Sequence, residues 1–318
     1  MKLGLVGIGY WGKNYIKTIK NINNIELSFV CSPHKKFEEE LPENCRFTNN
    51  YDDILKDKQT QGIIIATPPK THYDLARSGL ISGKNVLIEK PMTYSSEEAF
   101  DLYRLSEEKL NILMVGHLFL YHPAVVQLKR EVNNGELGNL VHINSIRTGP
   151  GPVRKDINAM WDLAPHDISM SNYFFQDLPT RVIATESRSI KNDLESSIDL
   201  ILIYPNKNRS FIEVSWSRPM KKRKMNIFGS ERLAIFDDMA QDKLIILDHY
   251  NPNCSYSSTL DNRSPLELEC RKFVECIEKK EKPISDGYEG YINVRILECG
   301  QKSLDNGNEV DINFIPRI

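Results

Sequence analysis

The sequence predicts an α/β protein in two parts. The first is an N-terminal domain on a parallel, helix-covered sheet; the second is a C-terminal α+β domain with a large, mostly antiparallel open sheet. Three observations carry this. Over the first 120 residues short apolar runs alternate with helix-like segments, the rhythm of βαβ units. Beyond them, successive strand-like runs are separated by polar turns such as Pro205-Asn206-Lys207-Asn208. The length, 318 residues, suits two domains of about 100–200 residues, large enough to hold a core without staples.

Taken in order, Lys2–Gly7 is a strand, Gly12–Ile22 carries apolar residues near helical spacing, and Ile25–Cys31 is β-rich. Gly62–Thr67 is a strand stopped by Pro68-Pro69. Tyr73–Ser82 reads as a helix, Asn85–Glu89 as a strand, Ser96–Lys109 as a helix and Asn111–Val115 as a strand. The second part reads as strands at Leu140–Arg147, Arg181–Glu186, Ser197–Tyr204, Arg209–Trp216, Lys224–Gly229, Arg232–Phe236 and Lys243–Leu247. Helices fall at Pro165–Phe175, Leu266–Lys279 and Gly287–Ser303. The expected division is 1–120 and 121–318, with the helix at 287–303 able to pack back on the first domain.

Composition narrows the function. Lys and Arg total 41 against 43 Asp and Glu, a formal charge of -2, without the basic excess of a nucleic-acid or membrane-surface protein. No apolar run approaches the about 20 residues of a membrane span. MKLGLVGIG opens without a leader pattern. The six cysteines form no C-x-x-C pair, so reduced thiols, a cytoplasmic location and no metal site are expected.

Gly7-Ile8-Gly9-Tyr10-Trp11-Gly12 is a G-x-G-x-x-G loop between a strand and a helix. The first glycine allows the tight turn, the second lets backbone approach a pyrophosphate, and the third lets helix pack on strand. The helix N-terminus then offers N–H groups to phosphate. This is the Rossmann dinucleotide site, with Gly7, Gly9, Tyr10, Trp11 and Gly12 against the cofactor. The acidic ribose reader expected about 20 residues on is replaced by Ser32, followed by Lys35 and Lys36. Ser32 with Lys35 could accept a 2′-phosphate, which favours NADP and leaves NAD open.

Glu89-Lys90-Pro91 closes a strand, Thr67-Pro68-Pro69-x-Thr71-His72 closes another, and Asp162-Leu163-Ala164-Pro165-His166-Asp167 holds a D-x-x-x-H segment. With the glycine loop, Trp216-Ser217-Arg218-Pro219, Gly229-Ser230 and Asp286-Gly287, these make the chain resemble, over essentially its whole length, the glucose-fructose oxidoreductase / inositol dehydrogenase / MocA (Gfo/Idh/MocA) family. The resemblance implies a nucleotide-dependent oxidoreductase of sugars, polyols or nucleotide-sugars. It also implies a cis Lys90-Pro91 bond. One departure is Asn158-Ala159-Met160-Trp161, where many members carry glycines before the catalytic Asp.

Oxidising a carbinol needs a hydride acceptor, a base and donors around the developing alkoxide. Lys90 can supply a donor or the base. Asp162 and His166, four apart, share one face of a helix; His166 titrates near neutrality and can take the hydroxyl proton, with Asp162 supporting it. Pro165, lacking an N–H, fits the first helical turn, which places Asp162 near the N-cap. Whether Lys90 or His166 is the base stays open. Thr67, Pro68, His72 and Glu89 are candidates for the nicotinamide side of the cofactor. His117, Arg147, Arg154 and Trp161 are candidates for substrate, the arginines as a clamp on a diphosphate. The expected partner is a small-molecule sugar, with no nucleic acid and no membrane. Self-association as a homodimer or homotetramer through the open sheet is expected. The alternative is a non-catalytic dinucleotide sensor of a sugar pathway.

Overall fold

The computed structural model describes residues 1–33, 41–151, 157–186, 196–249, 255–256 and 260–318. Contacts divide the chain into two units. The first holds residues 1–118, 263–294 and 316–318; the second holds 119–262 and 295–315.

The first unit begins β1 (Lys2–Val6), α1 (Tyr10–Ile19), β2 (Glu26–Cys31), β3 (Arg46–Thr48) and α2 (Asp52–Lys56). It continues β4 (Gly62–Ile65), α3 (His72–Ile81), β5 (Asn85–Ile88), α4 (Ser96–Lys109) and β6 (Leu113–Val115). The strands form one sheet in the order β3-β2-β1-β4-β5-β6, every pairing parallel. Ile63, Ile64 and Ile65 on successive positions are all fully buried, as a parallel sheet covered on both faces requires. Chain order reverses between β1 and β4, so their carboxyl ends open a crevice where such sheets bind ligands. Ser95 caps α4, its hydroxyl accepting the Glu97 and Glu98 N–H groups.

The second unit contains α5 (Pro123–Asn133), β7 (Leu140–Thr148), α6 (Ala159–Phe175), β8 (Arg181–Glu186), β9 (Ser197–Ile203) and β10 (Arg209–Ser215). β11 (Lys222–Gly229), β12 (Arg232–Asp237), β13 (Leu244–Asp248) and β14 (Ser255–Tyr256) follow. The chain then makes α7 (Pro265–Lys279), α8 (Gly287–Asn306) and β15 (Val310–Asp311). The second sheet runs β14-β13-β12-β11-β7-β10-β9-β8-β15. Only β7 and β10 pair in parallel; the rest are antiparallel. Along β7, Ile143, Ser145 and Arg147 are buried while Asn144 is exposed and His142 and Ile146 are half-buried, the alternation of a sheet covered on one face.

Three expectations change. A single cut at residue 120 does not divide the chain, because α7 and the start of α8 belong with the first sheet. Phe273 of α7 is fully buried, Tyr291 of α8 meets Phe100 of α4 edge-on with ring centroids 5.1 Å apart, and Ser285 exchanges two hydrogen bonds with Val115 on β6. α6 starts at Ala159, not Pro165. Asn158 is its N-cap, its side chain accepting the Trp161 N–H at 3.1 Å, so Asp162 lies inside the first turn and Pro165 within the helix. The strong cap and apolar burial outweigh the hydrogen bond that Pro165 removes. α5 was not expected: His122 caps it through Nδ1, which accepts the Ala124 N–H, with Pro123 in the first turn.

Candidate active site

The glycine loop sits at the carboxyl end of β1. Gly7 has φ +97°, and a Cβ there would strike the Ala66 carbonyl. A Cβ on Gly12 would lie 2.1 Å from the Gly7 oxygen. These two glycines are demanded by the protein's own packing. Gly9 is different: its Cβ would meet nothing within 4 Å, so its glycine answers to space in front of the backbone. Gly9 is also the N-cap of α1, with no side-chain cap and no acid in the first turn. The helix N-terminus is therefore suited to an anion, and a dinucleotide pyrophosphate fits these residues. Tyr10 is 79% exposed and its ring packs edge-on against Trp11. Ser32, 9% exposed, follows β2, its N–H bonded to the Thr48 carbonyl. Lys35 lies outside the described residues.

The ends of β4 and β5 are tied together. The Thr67 hydroxyl accepts from Thr71 and the Pro68 carbonyl accepts the Thr71 N–H. His72 is buried, with Nε2 2.9 Å from the Thr67 carbonyl and Nδ1 3.0 Å from that of Pro91. Its ring bridges the two strand-end loops, so the structure shows it as a brace. Lys90-Pro91 is cis. Glu89 is buried; its Oε1 accepts from the Tyr15 hydroxyl at 3.0 Å and its Oε2 from the Lys90 N–H at 3.3 Å. Burial pushes the Glu89 carboxyl up to about 7, against the lowering pull of Lys90 and Tyr15.

His117, beyond β6, is 1% exposed, with Nε2 3.2 Å from Glu289 Oε2. Burial, reinforced by the positive charge of Lys90, pushes the imidazole down to about 3. Burial and the neighbouring Asp286 push the Glu289 carboxyl well up. Near neutral pH this contact joins two uncharged groups.

In the second unit, α6 carries Trp161, Asp162 and His166. Trp161 is 9% exposed and His166 5%. Asp162 Oδ2 accepts from Trp216 Nε1 at 3.3 Å, and the His166 ring meets Phe119 edge-on, centroids 5.0 Å apart. Arg147 corrects its expectation as a diphosphate clamp. Its Nε and NH2 groups bond both Asp167 oxygens, at 2.6 and 3.2 Å, and its guanidinium lies 4.4 Å from the Phe119 ring centroid. It is a buried ion pair, its fork already spent. Arg154 lies outside the described residues. Tyr15, Glu269 and Glu289 join these sites without a signal in the sequence, whereas Asn158 and Trp216 stand there only within quoted segments.

Residues 1–117 match the family described as "Oxidoreductase family, NAD-binding Rossmann fold", and residues 125–234 match its "GFO/IDH/MocA C-terminal domain". The chain belongs to the GFO/IDH/MocA family. This GFO/IDH/MocA protein is thus an oxidoreductase with an NAD-binding Rossmann domain. It is 22% identical to the inositol 2-dehydrogenase/D-chiro-inositol 3-dehydrogenase of Lactiplantibacillus plantarum, over 98% of this chain and 94% of the relative. It is 25% identical to the UDP-N-acetylglucosamine 3-dehydrogenase of Acidithiobacillus ferrooxidans, over 74% of each chain. A solved structure of the latter superimposes with a TM-score of 0.85 at 23% identity, covering 96% of this chain and 98% of that one. Levoglucosan dehydrogenase in complex with NADH and levoglucosan matches with a TM-score of 0.88 at 16% identity, over 99% and 100% of the two chains. At these identities the structural likeness speaks for the fold.

Proposed function

We propose that this GFO/IDH/MocA protein moves a hydride between a ring carbon of a sugar, cyclitol or nucleotide-sugar and nicotinamide, interconverting a secondary alcohol and a ketone with release or uptake of one proton. The observation that carries the reading is the presence of Lys90, Asp162 and His166 together with the Gly9 cradle; relatives named for inositol and for a UDP-sugar supply the substrate class. When bound, nicotinamide would supply the acceptor or donor for the hydride. Lys90 and His166 handle the hydroxyl proton, one as base and the other as donor to the alkoxide. Asp162, held by the Trp216 indole, orients the group beside it, and Trp161 shapes the substrate pocket. His117, neutral as described, can donate or accept one hydrogen bond from the first unit. A sensor without turnover is not favoured, since it has no chemical need for Lys90, Asp162 and His166 at once.

NADP is the cofactor proposed, on the absence of an acid at Ser32. Homodimers or homotetramers form through the open face of the second sheet, where Phe211 is 36% exposed; light scattering tests this. Among the described residues no helix is long and apolar enough to cross a membrane. The five described cysteines are free thiols, which suits the cytoplasm.

Turnover is tested by reduced-nicotinamide absorbance with inositols, aldoses and UDP- and dTDP-sugars. Lys90→Ala and His166→Ala are each expected to lower kcat at least 100-fold. Undiminished activity in either removes that residue from the chemistry, and no turnover of any panel member by wild type removes the reading. Ser32→Asp is expected to lose NADPH affinity at least tenfold with NADH little changed; equal effects on both sink the NADP preference.

A further inference from the structure

Behind the Glu89-Lys90 segment, three titratable groups from three elements of the first unit meet out of water. Tyr15 on α1 and Glu269 on α7 are fully buried, and Glu89 after β5 is 5% exposed. The Tyr15 oxygen lies 3.0 Å from Glu89 Oε1 and 3.2 Å from Glu269 Oε2. A phenol carries one hydrogen and donates it once, so a second hydrogen bond at the same oxygen must come from a protonated carboxyl. Two bare carboxylates around one phenol would repel, and one would stand as an uncompensated buried charge.

The two acids are not equivalent. Glu89 has support for an anion: the Lys90 N–H on Oε2 and the Lys90 side chain near it. Glu269 has no cation contributing to its environment, and its Oε1 has no hydrogen-bond partner among the described residues. We propose that Tyr15 and Glu269 are positioning residues for Glu89: the Glu269 carboxyl donates its O–H to the Tyr15 oxygen, Tyr15 donates its own to Glu89 Oε1, and the relay holds Glu89 as a carboxylate beside Lys90. The negative charge behind Lys90 thus belongs to a three-group unit assembled from α1, β5 and α7. Burial, reinforced by Glu89, drives the Glu269 carboxyl well up, consistent with a retained proton. The groups facing the unit are Lys90 from the end of β5, Tyr15 from α1, and Glu269 with the Cys270 thiol from α7; burial keeps that thiol protonated.

The link to turnover rests on the proposed role of Lys90; the location of the proton does not. Infrared difference spectra of the full-length protein at pH 8, wild type minus Glu269→Gln, are expected to show a protonated-carboxyl band, and the same band is expected to persist in Glu89→Gln. Its absence from the wild-type minus Glu269→Gln spectrum overturns the proposal. Should Glu269→Gln not fold, carbon-13 glutamate NMR of wild type and Tyr15→Phe replaces it: the resonances that Tyr15→Phe perturbs must include a carboxyl protonated at pH 8, and two ionised ones overturn the proposal. In turnover, Tyr15→Phe removes a hydrogen bond to the anion, so the acid limb of kcat/KM is expected to move to higher pH by about one unit or more; an unmoved limb overturns it. If wild type oxidises no sugar, the proposed activity fails while the spectra still locate the proton.

Discussion

One buried site in each unit handles charge in an opposite way. The second unit encloses Arg147 and Asp167 as a matched pair, with side-chain exposures of 7% and 2%, two hydrogen bonds and an aromatic ring against the guanidinium. The first unit encloses more acids than its one nearby cation can match: Glu89 and Glu269 share Tyr15 with Lys90 beside Glu89, and Glu289 lies against the neutral His117. A matched pair has each buried charge countered by its partner. Unmatched acids surrender charge to protons, and their state then follows pH. The second unit therefore fixes its buried charges by pairing, beside His166 along α6, while the first leaves buried acids whose charge depends on protons.

The largest expected effect breaks the matched pair. Arg147→Met strands a buried carboxylate and should cost about 3–5 kcal/mol, read as a fall in Tm. The double variant Arg147→Met/Asp167→Leu should recover most of it; a single variant costing under about 1 kcal/mol would erase the contrast between the units. Next is Glu89→Gln. The folded-state value of about 7 lies above the ordinary 4.5, so the folded chain holds this proton more tightly than the unfolded chain. That contribution is complete below about pH 4.5 and is lost as pH rises through 7, amounting to about 3 kcal/mol over the window. Urea unfolding from pH 5 to 8 should show wild type losing stability with rising pH and Glu89→Gln a flatter dependence. Parallel slopes would mean that Glu89 does not carry the titration.

Two smaller effects sharpen the contrast between packing and ligand binding. Gly9→Ala fills open space, so NADH affinity should fall about tenfold, about 1.4 kcal/mol, with Tm within a degree or two; a large fall in Tm would make Gly9 a packing glycine like Gly12. Asn158→Ala removes the α6 cap at the start of the helix that carries Asp162 and His166. It should cost about 1 kcal/mol of stability, and denaturant unfolding with no measurable change would show that α6 is held by burial alone.

Much of this was legible along the chain because it is local. The glycine loop, Glu89-Lys90-Pro91 and Asp162 with His166 each occupy a few consecutive residues, and their spacing states the geometry. Arg147 was misjudged as a free clamp although a signal was present: it shares strand parity with Ile143 and Ser145, which face inward. The start of α6 was misjudged because Pro165 is a louder marker than the Asn158 cap. Tyr15 and Glu269, 254 positions apart, left no signal, since nothing near either residue says that α7 returns to the first sheet.

Residue order by itself determined the βαβ rhythm, the anion-binding turn and the chemistry available at Lys90, Asp162 and His166, because dihedral preference, side-chain periodicity and functional-group type act over a few residues. Only the tertiary structure decided which charges are matched and which must share protons. Desolvation and hydrogen-bond counting depend on what surrounds a group in space, and the polypeptide brings those neighbours from distant positions.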